Sequence, residues 1–334
     1  MQTTLEDRFH RVHDYLRISV TDRCNLRCVY CMPEEGMEFE PEENHLTFAQ
    51  IAEVVRSLAV LGVRKIRLTG GEPLLRKNLE KLVSMLAGIP GIEDIALTTN
   101  GMFLQKKAGM LKDAGLTRLN VSLDSLRPDR FALITRGGEI RRVLGGIDAA
   151  LEAGLDPVKL NVVLMKGIND DEIEDFLKLT IGRKLNIRFI EYMPIGHDDD
   201  GWKKRYVSLE TVFERAARLG WKVEGAAGVT GNGPAENHRL VGAAGTFGLI
   251  HPVSDHFCKS CNRLRLTADG NIKPCLYWSD EFNVRSRLGD AEGIRQLFLQ
   301  ALSIKPETHE MALALNQAGQ SHIPTARRMS QIGG

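Results

Sequence analysis

Residues 16–31 read LRISVTDRCNLRCVYC, an apolar run of strand length followed at once by three cysteines. Cys24, Cys28 and Cys31 have a three-then-two spacing. Three thiolates on one short loop can each hold one iron of a 4Fe-4S cube, which leaves the fourth iron without a protein ligand. That iron can take a small molecule that chelates through an amine and a carboxylate. The alternative is a zinc loop, but a closed zinc site needs four protein ligands and no fourth lies nearby.

The chain outside this loop alternates short apolar runs with stretches of helical period. Strands are predicted at residues 16–20, 65–69, 94–98, 118–123, 158–164 and 187–191, and helices between them at 47–61, 79–86, 143–153 and 170–179. Strands that alternate with helices form right-handed βαβ units and a parallel sheet. Six units are too few for a closed eight-fold barrel, so the pattern predicts a partial (β/α)6 barrel of the TIM type. The active site of such a barrel lies at the carboxyl ends of its strands.

Polar or glycine-rich segments follow several of the predicted strands. The cysteine loop follows the first strand, and Gly70-Gly71-Glu72-Pro73 follows the second. Adjacent glycines let the backbone approach a ligand closely, and Glu72 could accept hydrogen bonds from an ammonium group. By itself this segment could be only a turn. The fourth and sixth strands end in VSLD (121–124) and EYMP (191–194), so several strand ends are expected to face one site.

Length and composition allow one large α/β domain with an appendage. The chain has 334 residues, of which 43% are hydrophobic, 26% charged and 6% aromatic. The regular pattern fades beyond Gly196, with a turn predicted at 197–201, a helix at 209–219 and glycine-rich loops and short strands at 225–248. We therefore divide the chain into a barrel core, residues 1–195, and an extension, residues 196–334, that closes the open barrel.

The charge balance and the apolar segments argue against nucleic acid or a membrane as a partner. The formal net charge is +1, and neither a signal peptide nor a run of eighteen apolar residues is visible. These features predict a cytoplasmic protein. The six cysteines fall into two triplets near opposite ends of the chain, which in a reducing compartment indicates metal binding rather than disulfides.

The second triplet consists of Cys258, Cys261 and Cys275. With His256 as a fourth ligand it could form a Cys3His zinc site. Otherwise it could hold a second 4Fe-4S cube, whose open iron would anchor a substrate. Spacing alone leaves both alternatives open.

Cations stand at unusual positions on the predicted strands. Arg17, Arg67 and Lys159 are each flanked by apolar residues, and a charge on a buried strand is costly unless it faces a polar cavity or an ion partner. Arg263 and Arg265 alternate on one strand, which suits either a polyanion or a solvated edge strand. Together the five cations could hold a triphosphate without a P-loop, and the chain has no Gly-x4-Gly-Lys-Ser/Thr motif.

The chain ends in Gly333 and Gly334. Termini are usually mobile, so a frayed end is one interpretation. Two residues without side chains can also thread into a narrow pocket where any Cβ would clash. The sequence alone does not decide between these alternatives.

The first cysteine motif together with GGEP (70–73) resembles the radical SAM superfamily, whose members cleave S-adenosylmethionine (SAM). Further segments narrow this resemblance to one branch of the superfamily. They are LTGGEPL (68–74), TTNG (98–101), NVSLDSL (120–126), FIEYMP (189–194), FCKSCNRLRLTADG (257–270) and the terminal glycines. They resemble the branch that cyclises GTP in the first step of molybdenum cofactor biosynthesis.

This resemblance implies two 4Fe-4S clusters and SAM as cofactors. One cluster would be held by Cys24, Cys28 and Cys31, and the other by the second triplet, with its open iron on the guanine base. Contacts to SAM are implied for Tyr30, Gly71, Glu72, Ser122 and Met193. Contacts to GTP are implied for Arg17, Arg67, Thr98, Lys159, Arg263 and Arg265. Arg17, Arg263, Arg265, Gly333 and Gly334 are implied to take part in catalysis.

The implied reaction begins with a 5'-deoxyadenosyl radical that removes the hydrogen at ribose C3' of GTP. The C3' radical then attacks guanine C8. An electron donor and the next enzyme of the pathway would be partners, and the protein would be a monomer or a homodimer. Two other functions remain open: a radical SAM peptide-modifying enzyme with an auxiliary cluster, and a zinc- or iron-sulfur-stabilised binding module.

Overall fold

A computed structural model describes residues 4–193, 195, 201–228, 233–255, 257–309 and 325–333. Its strands are β1 (Tyr15–Ser19), β2 (Lys65–Thr69), β3 (Asp94–Thr99), β4 (Arg118–Ser122), β5 (Val158–Leu164), β6 (Asn186–Glu191), β7 (Val223–Gly225), β8 (Glu236–Leu240), β9 (Thr246–Ile250), β10 (Arg263–Leu266), β11 (Asn271–Lys273) and β12 (Phe282–Asn283). Its α-helices are α1 (Phe48–Ala59), α2 (Leu79–Ala87), α3 (Ala108–Asp113), α4 (Pro128–Thr135), α5 (Ile140–Glu152), α6 (Ile173–Gly182), α7 (Gly201–Arg205), α8 (Glu210–Arg218), α9 (Ala291–Ser303) and α10 (Met329–Ile332).

The described strands form one sheet in the order β12-β11-β10-β1-β2-β3-β4-β5-β6-β9-β8-β7. Strands β1 to β6 are parallel neighbours in chain order, as the sequence predicts. The extension adds a parallel strand to each side of this core, β10 beside β1 and β9 beside β6. Antiparallel strands then continue the sheet at both edges. The predicted class is confirmed: a partial α/β barrel with a C-terminal extension.

The register corrects one interpretation of the Arg263 and Arg265 strand. Strand β10 pairs with β1 on one side and with β11 on the other, so it lies inside the sheet. A solvated edge strand is therefore wrong for this segment. The sequence shows that the segment is extended, but its partner β1 lies at the opposite end of the chain and leaves no local signal.

Most predicted elements are found with shifts of a few residues at their ends. The predicted helix 209–219 corresponds to α8, and the glycine-rich stretch 225–248 contains β8. Helices α3, α4, α7, α9 and α10 are not predicted. The turn expected at 197–201 lies almost wholly outside the described residues, and the division at residue 195 stays a prediction.

Successive side chains of the inner strands point alternately toward the helices and toward the interior of the barrel. On β1, Leu16 and Ile18 are fully buried and belong to the same apolar core as Val54 and Leu58 of α1. Arg17 lies between them and points to the opposite face. The barrel interior therefore receives the polar side chains. None of the helices in the described part of the chain has the length and apolar character needed to span a bilayer.

Candidate active site

The first cysteine loop is fixed by the segment that follows β2. The amide of Gly71 donates to the carbonyl of Thr21 at 2.8 Å, and the amide of Glu72 donates to that of Arg23 at 2.8 Å. A Cβ on Gly70 would lie 2.2 Å from the Thr21 carbonyl oxygen, and one on Gly71 would lie 2.3 Å from that of Arg23. Both glycines are therefore needed for the close approach of the two loops.

Glu72 is fully buried beneath this contact. Its carboxylate accepts hydrogen bonds from the amide of Leu74 at 2.9 Å, the hydroxyl of Thr99 at 2.7 Å and the amide of Asn100 at 2.7 Å. Burial raises the pKa of Glu72 to about 7, against the effect of these hydrogen bonds. Glu72 thus links the loops after β2 and β3, and its contact with SAM stays a prediction.

The first triplet opens into a cavity at the carboxyl ends of the strands, which we call the cysteine cavity. Its lining includes Cys24, Cys28, Cys31, Tyr30, Gly70, Gly71, Thr98, Ser122, Asp124, Asn161, Met193 and Met329. Burial raises the pKa of Cys24 to about 11 and that of Cys31 to about 12. The Oγ1 atom of Thr98 is buried and has no hydrogen-bond partner among the described residues. Three thiols with two adjacent glycines fit a three-cysteine cluster and a chelating ligand.

Tyr30 is held by a carboxylate that the sequence analysis did not single out. Its hydroxyl donates to Asp124 at 2.7 Å, and the amide of Val163 donates to the other oxygen of Asp124 at 2.9 Å. Burial raises the pKa of Asp124 to about 6. This network fixes the ring of Tyr30, which lies between Cys28 and Cys31 in sequence, to the ends of β4 and β5.

A second cavity, the arginine cavity, adjoins the first inside the barrel. Its lining includes Tyr15, Arg17, Arg67, Asn161, Arg188, Met193, Phe257, Arg263, Arg265, Leu276 and Met329. Asn161, Ile190, Met193 and Met329 line both cavities. In the sheet register Arg17 is the direct neighbour of Arg67 on one side and Arg265 on the other. The four predicted arginines therefore line one cavity, whereas Lys159 is fully buried in the barrel outside its lining. Thr98, the other predicted GTP contact, lines the cysteine cavity.

The arginine cavity carries buried positive charge. Burial and the neighbouring guanidinium of Arg265 lower the pKa of Arg17 to about 9, and burial lowers that of Arg67 to about 10. Burial and the charge of Arg188 lower the pKa of Lys159 to about 6. Within the described residues the Nε atoms of Arg17 and Arg67 have no hydrogen-bond partner. Such a cluster is costly unless an anion enters it, so the cavity fits a polyanionic ligand.

Arg188 on β6 is a cavity residue that sequence reasoning missed. It is 3% exposed, and burial lowers its pKa to about 9. Its neighbours in sequence are Ile187 and Phe189, so it has the same charge-between-apolar pattern as Arg17 and Arg67. A cation between two apolar residues of a predicted strand, the pattern that indicates Arg17, Arg67 and Lys159, therefore also indicates Arg188.

The second triplet lies at the opposite end of the parallel strands. Cys258 and Cys261 precede β10, which runs parallel to β1, whereas the first triplet follows β1. Phe257 and Leu276, which adjoin Cys258 and Cys275 in sequence, line the arginine cavity. The arginine cavity therefore extends from the cysteine cavity toward the second triplet.

The thiols of the second triplet differ in their surroundings. Burial raises the pKa of Cys258 to about 11. Burial also acts to raise that of Cys261, but Lys305 and Arg263 outweigh it and lower the value to about 6. All six cysteines are free thiols. Among the described residues no three metal-binding side chains are close enough to hold a single ion, and His256 lies outside them.

The end of the chain packs into the barrel. Arg265 donates to the carbonyl of Ile332 at 3.2 Å and to that of Gly333. Gly333 has a φ of +68°, and a Cβ there would lie 2.4 Å from Cγ2 of Thr69. Met329 of α10 lines both cavities. The described tail is therefore docked rather than frayed, while Gly334 lies outside the described residues.

Arg327 anchors this tail to the extension. Its guanidinium donates to Asp269 at 2.9 Å and to Glu281 at 2.7 Å. The amide of Thr325 also donates to the carbonyl of Tyr277, in the extension, at 2.7 Å. These contacts fix where α10 begins, and so fix its position over the cavities.

The fold and the cysteine cavity together define the class of radical SAM proteins. The sequence profile of the Radical SAM superfamily matches residues 18–180, and the Molybdenum Cofactor Synthesis C profile matches residues 185–311. The chain also resembles the crystal structure of Streptococcus suis SuiB bound to S-adenosylmethionine (TM-score 0.58, 14% identity), covering 91% of this chain and 68% of that chain. Native anSMEcpe with bound AdoMet gives a TM-score of 0.58 at 13% identity, covering 89% and 82% of the two chains. These two likenesses establish the fold alone.

Curated relatives cover almost the whole chain. It is 59% identical over 330 residues to the GTP 3',8-cyclase of Listeria welshimeri, covering 99% of each chain. It is 50% identical over 333 residues to the GTP 3',8-cyclase of Moorella thermoacetica, covering 99% of this chain and 100% of the relative. The chain belongs to the GTP 3',8-cyclase family of radical SAM enzymes. This membership brings SAM and an iron-sulfur cluster as cofactors.

Proposed function

We propose that this enzyme converts GTP to (8S)-3',8-cyclo-7,8-dihydroguanosine 5'-triphosphate, the first step of molybdenum cofactor biosynthesis. The observation that carries the proposal is the direct contact of two cavities, one lined by three cysteines and the other by buried arginines. When bound, the first cluster and SAM supply a 5'-deoxyadenosyl radical that takes the hydrogen from ribose C3'. The remaining task of the protein is to position GTP and exclude water.

The cysteine cavity binds the cluster and SAM. Cys24, Cys28 and Cys31 hold the cluster, and Tyr30, Gly71, Ser122 and Met193 contact SAM. The support is that all four lie in the lining of the same cavity as the three thiols. Glu72 acts from beneath by holding the glycine segment against the cysteine loop.

The arginine cavity binds the triphosphate. Arg17, Arg67 and Arg188 supply positive charge from three strands of the barrel, and Arg263 and Arg265 supply it from β10. Lys159 on β5, whose pKa burial lowers to about 6, gains a proton when the phosphates approach. The buried guanidiniums exchange their mutual repulsion for charge-assisted hydrogen bonds to phosphate when GTP enters. Thr98, with its unpartnered hydroxyl, lies on the SAM side and can contact both ligands.

The second triplet holds the auxiliary 4Fe-4S cluster, and the guanine base lies toward it. This assignment is supported by Phe257 and Leu276, which continue the arginine cavity toward Cys258 and Cys275. Because the two triplets lie at opposite ends of the strands, GTP can be fixed at its base while its ribose faces the cysteine cavity.

The tail closes the space between the two cavities. Met329 lines both cavities, and Arg265 donates hydrogen bonds to the carbonyls of Ile332 and Gly333. Gly333 thus acts by fitting where a side chain would clash, Gly334 acts with it in catalysis, and Arg265 links the tail to the phosphate-binding strand. We further propose that an external donor supplies electrons, that the product passes to the next enzyme of the pathway, and that the protein acts as a monomer or a homodimer.

The experiment is anaerobic incubation of the reconstituted protein with SAM, a reductant and each of the four nucleoside triphosphates in turn. Of the four nucleotides, only GTP should yield a cyclised product, and 5'-deoxyadenosine should form with it. Equal turnover of all four nucleotides, or cleavage of SAM without a nucleotide product, would contradict the proposal. Zinc without iron-sulfur absorption would instead indicate a binding module.

A further inference from the structure

Two buried cations bind the backbone around the second triplet. The first is Arg11, which lies ahead of β1 and is 7% exposed. Its guanidinium donates to the carbonyl of Cys258 at 2.8 Å and to those of Pro306 and Glu307 at 2.7 Å. The carboxylate of Asp7 accepts from its Nε at 2.6 Å, so the charge of Arg11 is compensated.

The second cation is Lys305, which follows α9 and is 3% exposed. Its Nζ donates to the carbonyl of Arg263 at 2.9 Å and to the carbonyl of Pro274. These carbonyls flank Cys261 and Cys275 in sequence. In the part of the chain that the structure describes, Lys305 forms no ion pair with a carboxylate, whereas Arg11 does. Within the described residues, its charge near the second triplet is therefore not balanced by an ion pair with a carboxylate.

The two triplets lie in electrostatic surroundings of opposite sign. Near the first triplet are two buried carboxylates: Asn100 links Glu72 to Cys24, and Tyr30, which lies between Cys28 and Cys31 in sequence, donates to Asp124. Near the second triplet the buried groups are cations: Lys305 donates to the carbonyls of Arg263 and Pro274, and Arg11 donates to that of Cys258. Because the dielectric response inside a protein is weak, such charges act strongly on a cluster.

We propose that Lys305 is a positioning residue that fixes the loops of Cys261 and Cys275 and raises the reduction potential of the second cluster. The proposal rests on the proposed function, since it requires that the second triplet holds a 4Fe-4S cluster. One-electron reduction adds a negative charge to the cluster, and a buried cation beside its ligand loops favours that charge. Hydrogen bonds and charges around a metal centre are known to orient its ligands and tune its potential.

The test compares Lys305→Gln, which keeps an N–H donor but removes the charge, with Lys305→Arg, which keeps the charge. Each is made in the full-length chain together with Cys28→Ala, so that the second cluster is observed without the first. Reduction by dithionite is followed by electron paramagnetic resonance at controlled potential, and iron is counted in each sample. The control is Lys112→Gln, an exposed lysine whose Nζ also donates to a carbonyl, that of Gly154, at 2.8 Å.

We expect Lys305→Gln to lower the reduced-to-oxidised ratio of the second cluster about tenfold at the parent midpoint, a shift of about 59 mV for one electron. Lys305→Arg and Lys112→Gln should remain within twofold of the parent. Loss of the second cluster in Lys305→Gln but not in Lys305→Arg would also support the proposal.

An unchanged potential in Lys305→Gln would overturn the proposal. Equal loss of iron in Lys305→Gln and Lys305→Arg would overturn it too, because the charge would then be irrelevant. If the protein with Lys305 intact contained no second cluster, the assignment of the second triplet would fail first. Iron counts on that parent protein distinguish this failure from the other two.

Discussion

The arginines of the barrel interior combine an unfavourable position in the empty protein with a function in the loaded one. Arg17, Arg67 and Arg188 each stand between two apolar residues of their strand and line the same cavity. Burial and mutual repulsion lower the pKa of each of them. The free energy of bringing these charges together is recovered only when an anion enters.

This account predicts opposite effects of Arg188→Met on binding and on stability. Removing one partner of a desolvated phosphate contact costs about 2–5 kcal/mol, so the GTP concentration needed for half-saturation should rise more than tenfold. The protein without GTP should be at least as stable to urea as the parent, because a repulsive charge is gone. The control is Arg183→Met, an exposed arginine paired with Asp148. Unchanged GTP binding, or a large loss of stability, would contradict the account.

Glu72 gives a second prediction, on the pH dependence of stability. Its pKa is raised to about 7 in the folded chain from an ordinary value of 4.5. A carboxyl whose folded pKa is raised stabilises the fold fully below the unfolded pKa, and this contribution is lost as the pH rises toward 7. The stability of the parent relative to Glu72→Gln should therefore fall by about 3 kcal/mol between pH 4.5 and pH 8. Urea unfolding of both iron-free proteins measures this difference, and a constant difference would contradict the shift.

The elements that form the site were predictable from sequence to different degrees. Strands β1 to β6 could be predicted because each is a short apolar run between helical stretches, and the same alternation exposed Arg17 and Arg67. The position of β10 could not, since pairing with β1 joins the two ends of the chain and depends on long-range packing. Helix α4 is only eight residues long, too short for its buried Phe131 and Ile134 to give a clear period. Tyr30 and Asp124 both lie in segments that the sequence indicates, but the hydrogen bond between them could not be predicted because they are far apart in the chain.

At the loop after β2, Gly71→Ala should prevent assembly of the first cluster and leave the second cluster in place. The added Cβ would lie 2.3 Å from the carbonyl oxygen of Arg23, so the cysteine loop must move away. Anaerobically reconstituted protein should then hold about four iron rather than about eight per chain. Gly109→Ala on α3 is the control, because a Cβ there meets no atom within 4 Å. Full iron content in Gly71→Ala would show that the close approach is not needed.

At the C-terminal element, Gly333→Val should separate cluster content from turnover. The new side chain would collide with Thr69 and displace the end of α10, while both cysteine triplets lie on other segments. We expect full clusters and at least a tenfold loss of cyclised product. The control is Gly289→Val, which has a similar positive φ of +88° but open space around it. If Gly333→Val cyclised GTP at the parent rate, docking of the tail would be irrelevant to catalysis.

At the scale of the whole molecule, the extension completes the site that the core begins. The core supplies the first triplet at the carboxyl ends of its strands, and the extension supplies β10, the second triplet and the tail. Between them lies a barrel interior whose arginines come from both parts. The proposed binding mode of GTP therefore depends on residues from both parts of the chain.

The most direct test of this arrangement is to follow the hydrogen at ribose C3'. GTP carrying deuterium only at C3' is incubated anaerobically with the reconstituted protein, SAM and dithionite, and the 5'-deoxyadenosine is analysed by mass spectrometry. The account predicts that each cyclised nucleotide is accompanied by one 5'-deoxyadenosine that has gained deuterium. Cyclised product accompanied by unlabelled 5'-deoxyadenosine, or 5'-deoxyadenosine formed at the same rate without GTP, would contradict it.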